Sequence, residues 1–168
     1  RLIFQTDGSG FFNVWDGFRL GIAVPRSNIA ASNGVMHITS ELVLPRGVLT
    51  VSQMLRANTQ WFSVFGVSMS AAVINELNGA GKFTVFMPNA SPPVGDNAVR
   101  HHVMRGETLS SAFVNNLILT PLFGRTLTLR TSATETTLSY GTVVQARVTD
   151  VDFYAKNGVI HVIDRVIP

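Results

Sequence analysis

The chain has 168 residues, 46% of them hydrophobic and 14% charged, with no Cys and a formal net charge of +3. This length accommodates one domain, or one with part of a neighbour, and so much apolar material excludes disorder as the main state. The missing Cys excludes a disulfide framework, a thiolate metal site and a Cys nucleophile, while scattered Arg and only two lysines, Lys82 and Lys156, exclude a dedicated nucleic-acid arm.

In chain order, the first clear feature is the turn signal Asn33-Gly34, followed by the apolar run Val35-Met36-His37-Ile38. Leu49 to Arg56 places apolar residues at 51, 54 and 55 on one helical face, with Thr50 or Ser52 as its cap. Trp61, Phe62, Phe65, Val67 and Met69 follow, then a helix through Ala71, Ala72, Val73, Ile74 and Leu77, stopped by Asn78-Gly79 and Gly81. Phe83 to Met87 predicts a buried strand, closed by Pro88 and the Pro92-Pro93 pair. A second short helix is expected over Leu109 to Leu117. Strands are predicted at Thr126 to Leu129, Thr136 to Leu138, Val143 to Val148 and Val159 to Val166. Helices first and strands later predict an α+β domain rather than a parallel α/β sheet. No apolar stretch reaches the length that a membrane helix needs. The sequence opens on Arg1, and the chain is expected to be a piece of a longer one.

Self-comparison reveals one repeat. Asn33-Gly34-Val35-Met36-His37-Ile38 recurs as Asn157-Gly158-Val159-Ile160-His161-Val162, an offset of 124 residues with four of six positions identical. Gly17 aligns with Gly141, Val24 with Val148, and Asn28-Ile29 with Asp152-Phe153. An offset of this size is that of a whole domain rather than a solenoid unit. Residues 1–45 are therefore expected to be the C-terminal part of one domain, and residues 46–168 one further domain that ends in the same way.

Chemistry-bearing patterns are sparse. No H-E-x-x-H or G-x-S-x-G motif occurs, and Gly79-Ala80-Gly81-Lys82-Phe83-Thr84 imitates half a phosphate loop but precedes a strand, so it reads as a tight turn. His101 and His102 are adjacent; in an extended segment they face opposite sides and do not share a metal, which predicts one buried imidazole and one at the surface. His37 and His161 are repeat equivalents and read as structural. Asp152 reads as a turn residue and Phe153 as a core anchor. Asn89-Ala90-Ser91 is the one N-x-S/T acceptor in the sequence, a candidate glycosylation site that Pro92 impairs. Catalytic residues, metal ligands and cofactor-binding residues are expected to be absent.

Three segments together resemble the fasciclin domain, an adhesion module found in tandem in extracellular proteins. Phe83-Thr84-Val85-Phe86-Met87-Pro88 is similar to the family's first motif, Asn157 to Pro168 is nearly a verbatim match to the second, and His101-His102-Val103-Met104 stands where the family has Tyr-His and apolar residues. The resemblance implies a wedge-shaped β-sandwich of about seven strands with helices packed on one side. His101 replaces the usual Tyr, and the segment between 89 and 100 is shorter than the family pattern. It also implies one candidate partner-contact patch: His101 and His102 at the Tyr-His position, with Asp152 and Phe153 at the family's Asp-Ile adhesion site.

The expected function is a non-catalytic, extracellular or cell-surface adhesion or matrix-interaction module. Expected partners are a cell-surface receptor, a matrix protein or an acidic glycan, and other fasciclin domains of the same chain, but no nucleic acid. The alternative is a structural scaffold subunit of a wall, fibre or appendage. An enzyme is disfavoured by the lack of any supporting motif.

Overall fold

The computed structural model describes residues 3–6, 12–15, 21–57, 63–66, 68–90 and 92–168. Gly17, Trp61, Phe62, Val67 and Ser91 of the sequence reading lie outside these residues. The chain divides into two units, Arg1–Val48 and Leu49–Pro168.

In the first unit, β1 (Ile3–Thr6), β2 (Phe12–Trp15) and β3 (Gly21–Ala23) form a three-stranded antiparallel sheet. β4 (Arg26–Ala31) and β5 (Gly34–Ile38) form a separate antiparallel hairpin, closed by the turn that Asn33-Gly34 announces. The pairing slips between Arg26 and Ile29, where Asn28 takes a positive φ of 57°. A polar Asn tolerates that conformation better than most side chains, and the slip is a β-bulge.

The second unit begins with α1 (Val51–Ala57). Of the two expected caps Thr50 serves: its Oγ1 accepts from the Gln53 N–H while Gln53 Oε1 accepts from the Thr50 N–H, a reciprocal capping arrangement. α2 (Ser63–Gly66) and α3 (Ala71–Asn78) follow, with Ser70 capping α3. α1 packs on α3, and Val51, Met54, Leu55, Val73 and Leu77 are the buried face of the pair.

Phe83–Pro88 is β6, buried at all six positions. A continuous apolar run suits a strand covered on both faces. After it come α4 (Asp96–His101), β7 (Val103–Arg105), β8 (Leu117–Leu119), β9 (Leu127–Thr131), β10 (Thr136–Tyr140), β11 (Val143–Ala155) and β12 (Gly158–Ile163). They form one seven-stranded sheet in the order β7-β6-β12-β11-β10-β9-β8. A bridge between Met104 and Pro121 brings the chain beside its two edges together, so the sheet is nearly closed. The expected α+β class and seven-strand architecture are observed.

The one parallel pair of this sheet is β12 with β6, in the register Gly158 with Phe83 through Ile163 with Pro88. Inside the sheet Phe86, Met104, Leu119, Leu127, Leu129, Leu138, Ala146, Ile163 and Ile167 make the core, and α1 covers β12. Each fully buried side chain of this size stabilises the fold by about 1.5–3 kcal/mol relative to exposure.

Three sequence expectations are corrected. The helix expected over Leu109 to Leu117 is a short 3-10 turn, Ser110–Ala112, followed by β8, because the Asp152 carboxylate takes the Ser110 N–H and Asn116 turns the chain at φ 66°. The strand predicted to stop at Val148 runs on to Ala155 through two bulges, which break the alternation that the sequence reading follows. His101 and His102 lie not in an extended segment but at the end of α4, and both are buried. α4 itself went unpredicted; Arg100 ties it to Glu76 of α3 at 2.9 Å, and Ser70 donates to Asp96 at 2.7 Å.

Candidate functional site

Of the four expected partner-contact residues, Asp152 belongs to one hydrogen-bonded cluster and His101 and His102 to another, while Phe153 is buried in the core. The first is built on β11. Between Asp150 and Phe153 its pairing with β12 slips, and Asp152 sits at the slip with a positive φ of 62°. This conformation turns its N–H toward His161 of β12, whose Nδ1 accepts at 3.3 Å. The other ring nitrogen, Nε2–H, donates to the Thr108 carbonyl at 2.9 Å, which fixes one neutral tautomer. Asp152 Oδ1 accepts from the Ser110 N–H at 2.9 Å, and its Oδ2 accepts from the Ser110 hydroxyl. Phe113 lies 5.0 Å from the His161 ring, and Phe86 5.2 Å on centroids, so the imidazole is held between aromatic rings and the sheet.

The geometry decides what this cluster can do. Ser110, His161 and Asp152 are the residue types of a hydrolytic triad, but a nucleophilic Ser must donate to the His ring. Here the Ser110 hydroxyl donates to the carboxylate, and both nitrogens of His161 are engaged with backbone. The arrangement therefore anchors the 107–116 loop to β11 and does not activate a hydroxyl. The loop presents Ser111, Ala112, Val114, Asn115 and Asn116 to solvent, with Val114 57% exposed and Ile118 of β8 61% exposed.

The second network surrounds His101 and His102. His102 Nδ1–H donates to the Ala98 carbonyl at 2.8 Å, and its Nε2 accepts from the Ile167 N–H at 3.0 Å. Burial pushes this imidazole down to about 4, against the smaller opposing pull of the Ala98 carbonyl. Protonation would set a second N–H against that of Ile167. His101 faces Tyr140: its Nε2 donates to the Tyr140 oxygen at 2.5 Å, and the Tyr140 hydroxyl donates to the Pro168 carbonyl at 3.1 Å. Burial also lowers His101, and Gly124, at φ 92°, lies so close that a Cβ there would stand 3.1 Å from the ring.

Thus the folded chain keeps His102 and Phe153 inside, covers His101, and leaves Asp152 partly exposed. The core-anchor reading of Phe153 holds. Asn89 is exposed and its N–H donates to the Ile163 carbonyl. Sequence reasoning missed Ser110, Thr108 and Tyr140, which reach the sites from other strands and loops. A readable signal did exist for one pair: Asn28 and His37, like Asp152 and His161, are nine residues apart in both copies, and the Asn28 N–H donates to His37 Nδ1 at the same 3.3 Å. Asn157 also does more than turn the chain. Its Oδ1 accepts from the Val51 N–H at 2.8 Å and its Nδ2 donates to the Leu77 carbonyl at 2.7 Å, pinning α1 and α3 to the start of β12. Among the described residues no group of three or more His, Asp or Glu side chains is placed to hold a metal ion, and no helix is long and apolar enough to cross a membrane.

Comparison with known proteins agrees with this architecture. Residues 95–168 match the family model described as fasciclin domain. The chain is 27% identical over 174 residues to Protein sll1483 of Synechocystis sp., covering 93% of each. Its fold is similar to the solved structure of a FAS1 domain pair from the insect cell adhesion molecule fasciclin I, with a TM-score of 0.61 and 19% identity. That likeness covers 99% of this chain and 66% of the other, just under two thirds of its length. These likenesses indicate no enzymatic family.

Proposed function

We propose, from the premise that this chain carries a fasciclin domain, that residues 46–168 act as a non-catalytic adhesion or matrix-interaction module, outside the cell or at its surface, with residues 1–45 the end of a preceding domain. The observation that carries this reading is the fasciclin match over 95–168 on a fasciclin-type fold, the fold of a domain pair from a cell adhesion molecule. The partner is a receptor, a matrix protein or an acidic glycan.

The anchored loop gives the reading a surface. Asp152 holds the turn at Ser110–Ala112, and the loop beyond it exposes Val114 and, on the edge strand β8, Ile118. Exposed apolar side chains rimmed by Ser111, Asn115 and Asn116 suit a small recognition patch with a polar border. Asp152 then acts as a positioning residue rather than as the contact itself.

Cell attachment or capture of matrix protein by the Val114→Asp/Ile118→Asp double variant tests this. Both positions are exposed, so the fold should shift by no more than about 0.5 kcal/mol per substitution. Loss of attachment supports the patch, and partial loss in Asp152→Asn supports the positioning role. Attachment that falls steeply with added salt and ignores these variants would identify an acidic glycan met by scattered Arg instead. Unchanged attachment at every salt concentration would overturn the adhesive reading and favour a permanent scaffold contact.

A further inference from the structure

Buried polar atoms in a folded chain are nearly always hydrogen-bonded, so each exception asks for a reason. Among the described residues two buried side-chain atoms have no partner, Arg130 Nε and Ser139 Oγ. They belong to neighbouring strands and to one face. Arg130 of β9 stands opposite Thr137 of β10, and Thr128 opposite Ser139, whereas Leu129 and Leu138 between them belong to the core. Side chains alternate along a strand, so Thr128, Arg130, Thr137 and Ser139 share the outer face of the sheet. Arg130 and Ser139 are diagonal neighbours there, a spacing that a long side chain bridges.

The charge is unmatched as well. Arg100, Arg105, Arg147 and Arg165 each meet a carboxylate, Arg147 that of Glu135 at 3.3 Å. Arg130 is half-buried and meets none among the described residues. Its Nη2–H donates to the Gly141 carbonyl at 3.0 Å, two residues beyond Ser139, so the side chain runs along β10 across Ser139. A half-buried guanidinium without a counter-ion and an enclosed hydroxyl without a partner each carry a desolvation cost that the protein leaves uncompensated. A water molecule answers the hydroxyl but not the charge. A negatively charged acceptor answers both, because Nε–H and Oγ–H are donors.

We infer that Arg130 and Ser139 form a subsite for an oxyanion, a sulfate or carboxylate group, on the outer face of β9 and β10. Arg130 is also its cover: one exposed hydrogen bond holds the guanidinium at Gly141, and rotating the side chain off that carbonyl opens Nε–H and Oγ–H together. The same face continues across four strands. Ile118, Thr128, Ser139 and Val144 stand in one cross-strand row, about 14 Å long at the usual strand spacing. Ile118 and Val144 at its ends are 61% and 52% exposed. A strip of this length, with hydroxyls in the middle and apolar groups at both ends, suits an oxyanion borne on an extended acidic glycan. The subsite follows from β9 and β10 themselves and stands whether or not the chain acts in adhesion.

The test uses the intact chain and NMR of the Arg130 Nε–H and of the amides of 128–130 and 139–141. Sodium sulfate should shift these signals saturably, and sodium chloride at equal ionic strength should not. A sulfated tetrasaccharide should give the same shifts at a concentration at least tenfold lower; an equal or higher requirement would overturn the glycan and leave a free oxyanion as the occupant. Arg130→Lys keeps the charge and removes Nε–H, and Ser139→Ala removes the orphaned hydroxyl and should leave the urea midpoint unchanged or raised. Each should weaken binding of both probes at least tenfold, whereas Arg147→Gln should change it less than threefold. Three results would overturn the subsite: no saturable shift with either probe, an equal response to chloride, or folded Arg130→Lys and Ser139→Ala chains that bind as the parent does. Tetrasaccharide binding lost in Arg147→Gln and kept in Arg130→Lys would overturn it in favour of scattered surface charge.

Discussion

The hairpin β4–β5 and the end of β11–β12 agree in register residue for residue, yet one lies in solvent and the other at the middle of a sheet. Ile29, Ala30 and Ala31 face Met36, Val35 and Gly34 as Phe153, Tyr154 and Ala155 face Ile160, Val159 and Gly158. Each copy slips at a bulge with a left-handed Asn or Asp, and each lets a His nitrogen accept the N–H at that bulge. The shared local sequence is enough to set hairpin, bulge and His contact. Burial is another matter: β12 is covered because β6 pairs beside it and α1 lies across it. The comparison teaches that the repeated motif encodes a hairpin, while its contribution to stability depends on segments far away in sequence.

Matched substitutions in the two copies are the direct way to break this comparison. The largest difference is expected at the glycines. Gly158→Ala forces a Cβ into the Phe83 backbone at a positive φ and should cost about 5 kcal/mol, enough to prevent folding, by overlap and strain together. Gly34→Ala should change the urea midpoint by less than the equivalent of about 0.5 kcal/mol. Equal effects at the two positions would mean that both strands are equally enclosed.

Next come the apolar side chains. Ile160→Ala or Ile163→Ala removes buried methylenes and should destabilise by about 2–5 kcal/mol, whereas Met36→Ala in the exposed copy should stay within about 0.5 kcal/mol. Denaturant titration of the variants reads this directly, and unchanged midpoints for both Ile variants would contradict the placement of β12.

Acid sharpens the contrast further. His102 titrates near 6.5 unfolded and at about 4 folded, so between these values the unfolded chain holds the extra proton. Stability is therefore complete above about pH 6.5 and falls as the pH drops, by roughly 2–3 kcal/mol between pH 7 and 4.5 from this group. Exchange protection should fall with acid in β12 and not in β5, and an NMR titration of His102 should give a midpoint well below the ordinary imidazole range. The smallest expected difference is at the asparagines. Asn157→Ala loses the bonds to Val51 and Leu77, about 1–2 kcal/mol, while Asn33→Ala should be close to neutral in the same denaturant titration.

Much of the fold was readable from pattern. The run Phe83 to Met87, closed by Pro88, reads as a buried strand, and the spacing of Val51, Met54 and Leu55 fits one face of a helix, as both prove to be. The misreadings have physical causes. Leu109, Phe113 and Leu117 repeat every four residues as a helix would, but Asp152, forty-two residues from Ser110, takes the turn's donors and fixes another conformation. The β11 bulges hide behind Asp150 and Asp152, whose charge reads as the end of a strand. For the site, the paired His residues were visible and their environment was not, since Tyr140 and Ile167 reach them from distant parts of the chain.

The sequence by itself determined what depends on near neighbours: the repeat, the Asn-Gly turns, the capped helix α1 and the periodicities of the strands. Steric limits on φ and ψ and the alternation of side chains act within a few residues and leave their mark in composition and spacing. Only the tertiary structure decided which of two matching hairpins is buried, that His102 is enclosed, and that Asp152 anchors a loop instead of pointing outward. Those outcomes depend on desolvation and on hydrogen-bond partners brought from 42 to 106 residues away, and the same short motif meets them in one copy and lacks them in the other.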